Sequence, residues 1–192
     1  MNSTSLGLPD IYRSQHVKRW HIVHTARQQT VAEHSYMVAM ISMYLIDAMD
    51  QTANESALFL RSDKLDILKW ALMHDLPEVI MGDAVSPVKR LAKGAFDRVE
   101  EQVDPDLKSY ERGLPGHIKA IVKTADYIDA LKYLQTEGIN GQSKSIYKRL
   151  HGDMKHHLQK CKERWPNFNW FVAIDVLTYF LYGNETYIDN II

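Results

Sequence analysis

Apolar residues recur every three or four positions along most of this sequence of 192 residues. That spacing is the period of an amphipathic helix, and no segment shows the strict alternation expected of a half-buried strand. With 45% hydrophobic and 24% charged residues, the chain has the composition of a globular protein. We therefore expect an all-α fold, most simply one domain that spans residues 1–192.

Capping residues, prolines and glycines divide the chain into predicted helices. Thr30 and Glu33 have the spacing of a capping box, so one helix is expected to begin at Thr30. Ser62 is a suitable N-cap for the next long helix, and Pro77 should end or kink that helix. Helices within residues 142–192 are expected to complete the core. The predicted segments are 9–17, 30–48, 62–75, 86–93, 96–110, 117–135, 143–160 and 168–182.

The adjacent pair His74-Asp75 lies at the end of a helix that otherwise looks buried. Two apolar rows of that helix continue onto the pair, so both side chains are predicted to face the core. Adjacent residues are about 100° apart on a helix, and one cation between them would contact both. A buried histidine beside a helix-terminal aspartate is the purely structural alternative. The two rows are Leu65, Leu68, Leu72 and Asp75, and Ile67, Ala71 and His74.

Two further residues occupy comparable positions on other predicted helices. His34 heads the apolar stripe of its helix, and Asp126 lies on the buried side of the helix over 117–135, where Asp129 is the competing carboxylate. Two imidazoles and two carboxylates suit Mn, Co, Ni, Fe or Zn better than Ca or Mg. The candidate metal site therefore consists of His34, His74, Asp75 and Asp126.

Composition excludes several classes of partner. The formal net charge of −1 gives no general attraction to nucleic acid or to a membrane surface. The single cysteine, Cys161, cannot form an internal disulfide, which fits a reducing compartment. The N-terminal residues lack the pattern of a signal peptide, and no apolar stretch is long enough to span a bilayer. We expect a cytoplasmic protein, in the host cytoplasm if it is viral, that binds neither nucleic acid nor membrane.

The candidate metal site is part of a longer set of motifs. In sequence order its residues read H…HD…D, and the whole set resembles the HD-domain phosphohydrolase family, in particular its 5′-deoxynucleotidase branch. The resemblance is specific because several motifs occur together between Val17 and Ala130. The motifs are Arg19-Trp20, Val31-Ala32-Glu33-His34-Ser35, His74-Asp75-x-x-Glu78-Val79, Gly82-Asp83, Pro87-Val88-Lys89 and Lys123-x-Ala125-Asp126.

The resemblance implies a fold and a set of roles. It implies a helical bundle of the HD type that holds one divalent transition metal (Co, Mn, Zn, Ni or Fe) on His34, His74, Asp75 and Asp126. A second ion, Mg²⁺, is expected to bridge substrate phosphates. Glu78 is the implied proton carrier, and Asp83 either shares that role or holds the sugar. The implied contacts to a small deoxynucleotide are Arg19, Lys89 and Lys123 with phosphate, Trp20 with the sugar or base, and Ile22 with the base.

Two activities of this branch remain open. One removes phosphate from deoxynucleoside monophosphates, and the other, found in phage-type proteins, cleaves triphosphates such as dATP to the nucleoside and triphosphate. Lys89, Arg90 and Lys93 stand at one predicted helix start, with Lys89 and Lys93 on the same face. A longer anionic tail would offset that charge, so we favour the triphosphate activity. A non-catalytic nucleotide-binding module is the third interpretation, and a homo-oligomer is expected.

Overall fold

The computed structural model describes residues 5–52, 59–83 and 86–183. In these ranges the chain forms ten helices and two isolated β-bridges but no strand, which confirms the predicted all-α fold. None of the helices described there combines the length and the apolar composition that a membrane span requires. The helices are α1 (Leu8–Arg13), α2 (Val31–Thr52), α3 (Arg61–Met73), α4 (Glu78–Met81), α5 (Ser86–Leu91), α6 (Lys93–Val103), α7 (Pro105–Gly113), α8 (Gly116–Glu137), α9 (Gly141–Arg164) and α10 (Val172–Tyr182).

The long helices enclose one continuous apolar core. α2 packs against α3 and α8, α8 packs against α9, and α10 contacts both α2 and α8. Leu45 of α2, Ile67 of α3 and Ile128 of α8 are fully buried in this core, together with Met154 of α9. Burying one such side chain contributes about 1.5–3 kcal/mol. The C-terminal helices α9 and α10 therefore contribute side chains to the core.

The helix α2 begins where the capping box predicts. The Thr30 backbone N–H donates to Glu33 Oε2 at 2.7 Å, and the Glu33 backbone N–H donates to Thr30 Oγ1 at 3.1 Å. His34, Val38 and Leu45 follow on the buried face of the helix, each with no exposed surface. The apolar stripe predicted for α2 is confirmed, and it carries His34 into the interior.

The start of α3 differs from the prediction. The helix begins at Arg61, one residue before Ser62, and Leu60 occupies the N-cap position. The Leu60 backbone N–H donates to the Asp63 carboxylate at 3.2 Å. The cap is therefore supplied by a carboxylate in the first turn, and the prediction that Ser62 caps this helix was wrong.

Only one of the two apolar rows of α3 faces the core. Ile67 and Ala71 have no exposed surface, whereas Leu65 is 65% exposed and Leu72 is 46% exposed. Leu68 is partly buried. The prediction that the leucine row faces the core was therefore wrong. α3 packs against α2 and α8 through the other row, and a helix at the edge of a bundle buries one stripe.

The basic segment forms two short helices where one was predicted. α5 ends at Leu91 and α6 begins at Lys93, with Ala92 between them at φ −118° and ψ 30°, which is not helical. Lys89 and Lys93 therefore lie on separate helices, contrary to the prediction that they share one helix face. The side chains of Arg90 and Lys93 lie outside the part of the chain that the structure describes.

The acidic segment predicted as one helix over 96–110 is also divided. α6 ends at Val103 and α7 begins at Pro105, which cannot donate a backbone hydrogen bond to a preceding turn. Asp104 lies between them and accepts from the Leu107 backbone N–H at 2.9 Å. Asp104 therefore caps α7, and the two helices change direction there.

Candidate metal centre and adjoining cavity

Three side chains from different helical regions converge between α2, α3 and α8. They are His34 in the first turns of α2, His74 directly after α3, and Asp126 in α8. One possible ligand atom from each lies within 4.8 Å of the others. Pro77 has no backbone N–H to donate to the carbonyl of Met73, four residues earlier, and α3 ends at Met73 with His74 directly after it. This donor set suits a divalent transition metal.

Asp75 borders this group. Its Oδ2 atom is 3.5 Å from His34 Nε2 and 3.7 Å from His74 Nε2. The same oxygen is paired with the guanidinium of Arg19. Burial raises the pKa of Asp75, but His74 and Arg19 outweigh burial and hold that pKa well below its usual value. The fourth predicted ligand is therefore ionised and close to both imidazoles, but it lies outside the group of three and is paired with Arg19.

Hydrogen bonds fix the orientation of both imidazoles. His34 Nδ1 lies 2.6 Å from Asp129 Oδ2, and His74 Nδ1 lies 2.9 Å from the carbonyl oxygen of Ala71. Both acceptors require a hydrogen on Nδ1, so each neutral ring turns an Nε2 lone pair toward the site. The two Nε2 atoms are buried and have no hydrogen-bond partner in the described residues. A metal ion would satisfy both nitrogens, so these residues fit one.

The charges around the site favour a cation. Burial raises the pKa of Asp126, but Lys123 and His34 outweigh burial and hold that pKa well below its usual value. Burial and Arg19 lower the pKa of His34, whereas the carboxylates of Asp126, 3.3 Å from its Nε2 atom, and Asp129, at its Nδ1 atom, raise it to about 9. Without a metal, His34 therefore carries a proton at neutral pH, and a metal ion must displace it.

Glu78 begins α4 and is almost fully buried, with 3% of its surface exposed. Lys89 Nζ donates to its Oε1 atom at 2.5 Å, and its Oε2 atom has no hydrogen-bond partner in the described residues. Burial and Asp75 raise the pKa of Glu78 to about 8, against the opposing effect of Lys89. Glu78 is not part of the ligand group. Its carboxyl group can therefore exchange a proton near neutral pH.

A cavity of about 920 Å³ opens beside the ligand group. Three of the candidate metal ligands form part of its wall, and its volume lies in the range of small-molecule sites. Glu78 lies behind the wall, in contact with Lys89. Every predicted substrate residue whose side chain is described lines the cavity, namely Arg19, Trp20, Ile22, Lys89 and Lys123, together with Asp83.

Asp83 supports the segment that carries Trp20. The Trp20 backbone N–H donates to Asp83 Oδ2 at 3.3 Å, and His21 Nδ1 lies 3.6 Å from the same oxygen. The Asp83 side chain also faces the cavity. Both roles expected for Asp83, proton transfer and sugar binding, require this position on the wall.

Sequence analysis missed the part of the wall that α9 contributes. Residues of this helix were expected only to complete the core. Arg149, an exposed residue of α9, lines the cavity as a further cation. The sequence showed a basic helix there, but no motif tied it to the metal site. The other cavity residues of α9 are Gln142, Ser145, Ile146 and Leu150.

The residues behind the metal ligands were missed as well. Asp129 was considered as a competing ligand, but it is buried and its carboxylate contacts His34 Nδ1 instead of the Nε2 atom that faces the site. Gln29 donates to the same Asp129 oxygen at 2.8 Å. The position of Asp129, about one turn after Asp126, was the available signal, whereas nothing in the sequence distinguished Gln29.

The chain is similar in sequence to proteins of known activity. The family described as 5′-deoxynucleotidase YfbR-like matches residues 9–178 of the chain. A dATP triphosphohydrolase of Acinetobacter phage SH-Ab 15497 is 34% identical over 199 aligned positions, which cover 97% of each chain. A 5′-deoxynucleotidase of Yersinia pestis (strain Pestoides F) is 25% identical over 194 positions, which cover 91% of this chain and 93% of the relative.

A solved structure gives the same fold. It is that of the Cyanophage S-2L HD phosphohydrolase DatZ, bound to dA and one catalytic Zn²⁺ ion. The TM-score is 0.76 at 23% identity, and the match covers 91% of this chain and 94% of the cyanophage chain. The helical arrangement expected from the HD-type motifs is therefore confirmed.

Proposed function

The chain belongs to the YfbR-like 5′-deoxynucleotidase family of HD-domain phosphohydrolases, and we propose that it cleaves dATP to deoxyadenosine and triphosphate. One observation carries the proposal. Two buried imidazole nitrogens that have no hydrogen-bond partner in the described residues, and two ionised carboxylates, lie beside a cavity of about 920 Å³ that is lined by Arg19, Lys89, Lys123 and Arg149. A tetra-anionic nucleotide with a transition metal suits that combination. The 34% identical phage relative is named for this activity.

We assign the cofactor to His34, His74, Asp75 and Asp126. When bound, a divalent metal supplies positive charge to the phosphoryl group and lowers the pKa of a coordinated water. Zn²⁺ is the first ion to test, because the cyanophage protein holds one catalytic Zn²⁺. A second ion, Mg²⁺ on the substrate phosphates, stays a prediction. In both imidazoles the Nδ1 hydrogen bond keeps Nε2 free for the metal.

We assign proton transfer to Glu78. In the reaction, water oxygen adds to the α-phosphorus, the bond from that phosphorus to the 5′ oxygen breaks, and the 5′ oxygen takes a proton. The Glu78 carboxyl has a free Oε2 atom and a pKa raised to about 8, so it can take a proton from water and return it. Lys89, bonded to Oε1, connects this carboxyl to the cavity. Asp83, on the same wall, either shares this role or holds the sugar.

Four of the six described Lys and Arg side chains that line the wall are assigned to phosphate. Arg19, Lys89 and Lys123 were expected there, and Arg149 on α9 is the fourth. The other two bind protein groups, since Lys108 pairs with Glu100 and Glu111, and Lys119 donates to the Glu111 carbonyl oxygen. A charge-assisted hydrogen bond to phosphate contributes about 1.5–3 kcal/mol. Four such groups exceed what one phosphate requires, which favours a triphosphate. Trp20 and Ile22 are assigned to the sugar and base, because both line the cavity.

A 5′-deoxynucleotidase acting on monophosphates is the second candidate. The Yersinia relative of that name matches along 91% of this chain, although at the lower identity of 25%. The same ligands and the same Glu78 would serve either reaction. A non-catalytic nucleotide-binding module is the least favoured, because ligand atoms of His34, His74 and Asp126 lie within 4.8 Å of one another and hydrogen bonds orient both imidazoles.

Assembly and compartment are proposed from separate observations. The outer face of α2 exposes a stripe of large apolar side chains, which a second copy of the chain would cover in a homo-oligomer. The host cytoplasm is the proposed compartment, because its phage relative is named for cleaving dATP, a cytoplasmic metabolite. The exposed side chains of the stripe are Tyr36, Met40, Met43 and Tyr44.

One experiment tests the function. The purified protein is incubated with each dNTP, dNMP and NTP in the presence of Zn²⁺, Mn²⁺ or Co²⁺, and the products are separated by chromatography. We expect triphosphate and deoxyadenosine from dATP and little hydrolysis of ATP. Orthophosphate from dAMP, with dATP left intact, would replace this proposal with the monophosphate activity.

A further inference from the structure

A buried amide connects the metal ligands to the far wall of the cavity. Gln29 precedes the capping residue of α2, and only 4% of its surface is exposed. Its Oε1 atom accepts from Trp20 Nε1–H at 3.1 Å, and its Nε2–H donates to Asp129 Oδ2 at 2.8 Å. The same Asp129 oxygen lies 2.6 Å from His34 Nδ1. A continuous hydrogen-bonded path therefore joins an indole of the cavity wall to a metal ligand.

The chemistry of this path requires an amide at Gln29. An indole N–H can only donate, and an ionised carboxylate can only accept. The group between Trp20 and Asp129 must therefore offer an acceptor on one side and a donor on the other. Glutamate would place a second carboxylate against Asp129. Methionine, which has a similar length, would form neither hydrogen bond, so the Trp20 indole would lose its acceptor and Asp129 would keep only its bond to His34.

The backbone of Trp20 explains why the indole needs support. Its φ of 62° lies in the left-handed region, which is unfavourable for a bulky residue. Its indole stacks on the Tyr133 ring, with centroids 5.5 Å apart and planes inclined by 14°. The Gln29 backbone N–H donates to the Tyr133 hydroxyl at 3.2 Å. Gln29 is thus hydrogen-bonded both to the Trp20 indole and to Tyr133, the ring on which the indole stacks.

We propose that Gln29 is a positioning residue that couples the Trp20 wall of the cavity to the metal ligand His34 through Asp129. Without its side chain, Asp129 loses one of the bonds that orient it toward His34, and Trp20 loses its edge contact. One substitution therefore weakens metal binding and substrate binding together. The metal half needs only the ligand assignment, whereas the effect on dATP rests on the proposed function.

A double-mutant cycle on Zn²⁺ affinity tests the coupling without any substrate. Zn²⁺ binding is measured by competition with a chromophoric chelator in the wild type, Gln29→Met, Trp20→Phe and the double variant. We expect Gln29→Met to weaken Zn²⁺ binding about tenfold or more, as loss of support behind a ligand does. Trp20→Phe removes the indole N–H but keeps a ring. It should weaken Zn²⁺ binding about two- to fivefold in the wild type and have no effect beside Gln29→Met.

A third variant separates the contact of Gln29 with Asp129 from its contact with Trp20. Gln29→Glu keeps an acceptor for the indole and loses the donor to Asp129, so Zn²⁺ affinity should fall while KM for dATP stays within about twofold of the wild type. Gln29→Met should raise KM as well. Gln159→Met, an equivalent change at an exposed position of α9, is the control and should match the wild type in both measurements.

The results that overturn the coupling are distinct from a loss of folding. Wild-type Zn²⁺ affinity in Gln29→Met, with or without a lower thermal midpoint, would refute it. An equal effect of Trp20→Phe in both backgrounds would also refute it. A wild type that binds Zn²⁺ yet leaves dATP intact would refute the proposed function alone, because the zinc cycle needs no nucleotide.

Discussion

Two parts of the cavity wall are built differently. We call the part proposed to hold the metal the metal side, and the part proposed to hold the substrate the nucleotide side. The metal side consists of residues on α2 and α8, which pack directly on each other, and at the end of α3. The nucleotide side comes from the irregular segment around Trp20, from α5 and from α9. Packed helices fix their side chains through the core, whereas an irregular segment depends on a few specific hydrogen bonds. Substitutions on the metal side should therefore abolish function, and those on the nucleotide side should change its selectivity.

The largest effect should come from removing one ligand on the metal side. His74→Ala or Asp75→Ala should abolish both bound metal and dATP hydrolysis, because the remaining ligands cannot replace a direct bond. Metal content by atomic emission and product formation should fall together. His156→Ala, an exposed histidine of α9, is the matched control and should retain both. A fully active, metal-replete Asp75→Ala protein would break the ligand assignment and with it the comparison.

Glu78 lies between the two sides, and its substitution should separate metal binding from chemistry. Glu78→Gln keeps a polar side chain for Lys89 but removes the titrating proton. Turnover should fall by about two to four orders of magnitude, the usual contribution of a general acid or base. Bound metal and the thermal midpoint should stay near the wild-type values. Loss of metal from this variant would make Glu78 a ligand.

The same contrast explains what the sequence could predict. The capping box at Thr30 and the apolar stripe behind it placed His34 correctly, because helix geometry determines which residues share a face. For α3 periodicity alone indicated two core-facing rows. Packing against α2 and α8 buries only the row of Ile67 and Ala71. The apolar pattern alone does not indicate which of the two rows is buried. His74 continues the buried row, and Asp75 continues the neighbouring leucine row.

The nucleotide side could be predicted only through motifs. Arg19 and Trp20 were identified from the family resemblance, since no period places them at the cavity. Gln29 and Arg149 belong to no motif, and their positions follow from tertiary contacts between segments far apart in the chain. The break at Ala92, which separates Lys89 from Lys93, likewise depends on local backbone geometry that an apolar pattern does not contain.

Arg149 offers a test of selectivity on the nucleotide side. Arg149→Ala should lower kcat/KM for dATP about tenfold, because one charge-assisted contact to phosphate is lost. Bound metal should be unchanged, since α9 contributes no ligand to the group. Lys148→Ala removes a neighbouring exposed cation that does not line the cavity, and it should behave as wild type. Equal losses in both variants would indicate only a general electrostatic effect.

The smallest effect concerns the proton on His34. Its pKa is raised to about 9 in the metal-free protein, chiefly by Asp126 and Asp129 acting against burial. The folded chain therefore holds this proton more tightly than the unfolded chain. The resulting stability is fully present below pH 6.5, the ordinary pKa of histidine, and is lost as pH rises through about 9. A metal ion competes for the same ring, so apparent Zn²⁺ affinity should rise about tenfold per pH unit below that value.

Two measurements check this proton. Denaturant unfolding of the metal-free protein should show stability that declines between pH 6.5 and about 9, and zinc titrations over the same range should show increasing affinity. Asp129→Asn removes one of the two charges that hold the proton, so its decline should still begin near pH 6.5 but should be smaller and should end at a lower pH than in the wild type. The two sides of the cavity respond differently here, since Arg149→Ala should leave both pH profiles unchanged. A metal-free wild type whose stability is constant across this window would show that His34 is already neutral, and that zinc binding displaces no proton from it.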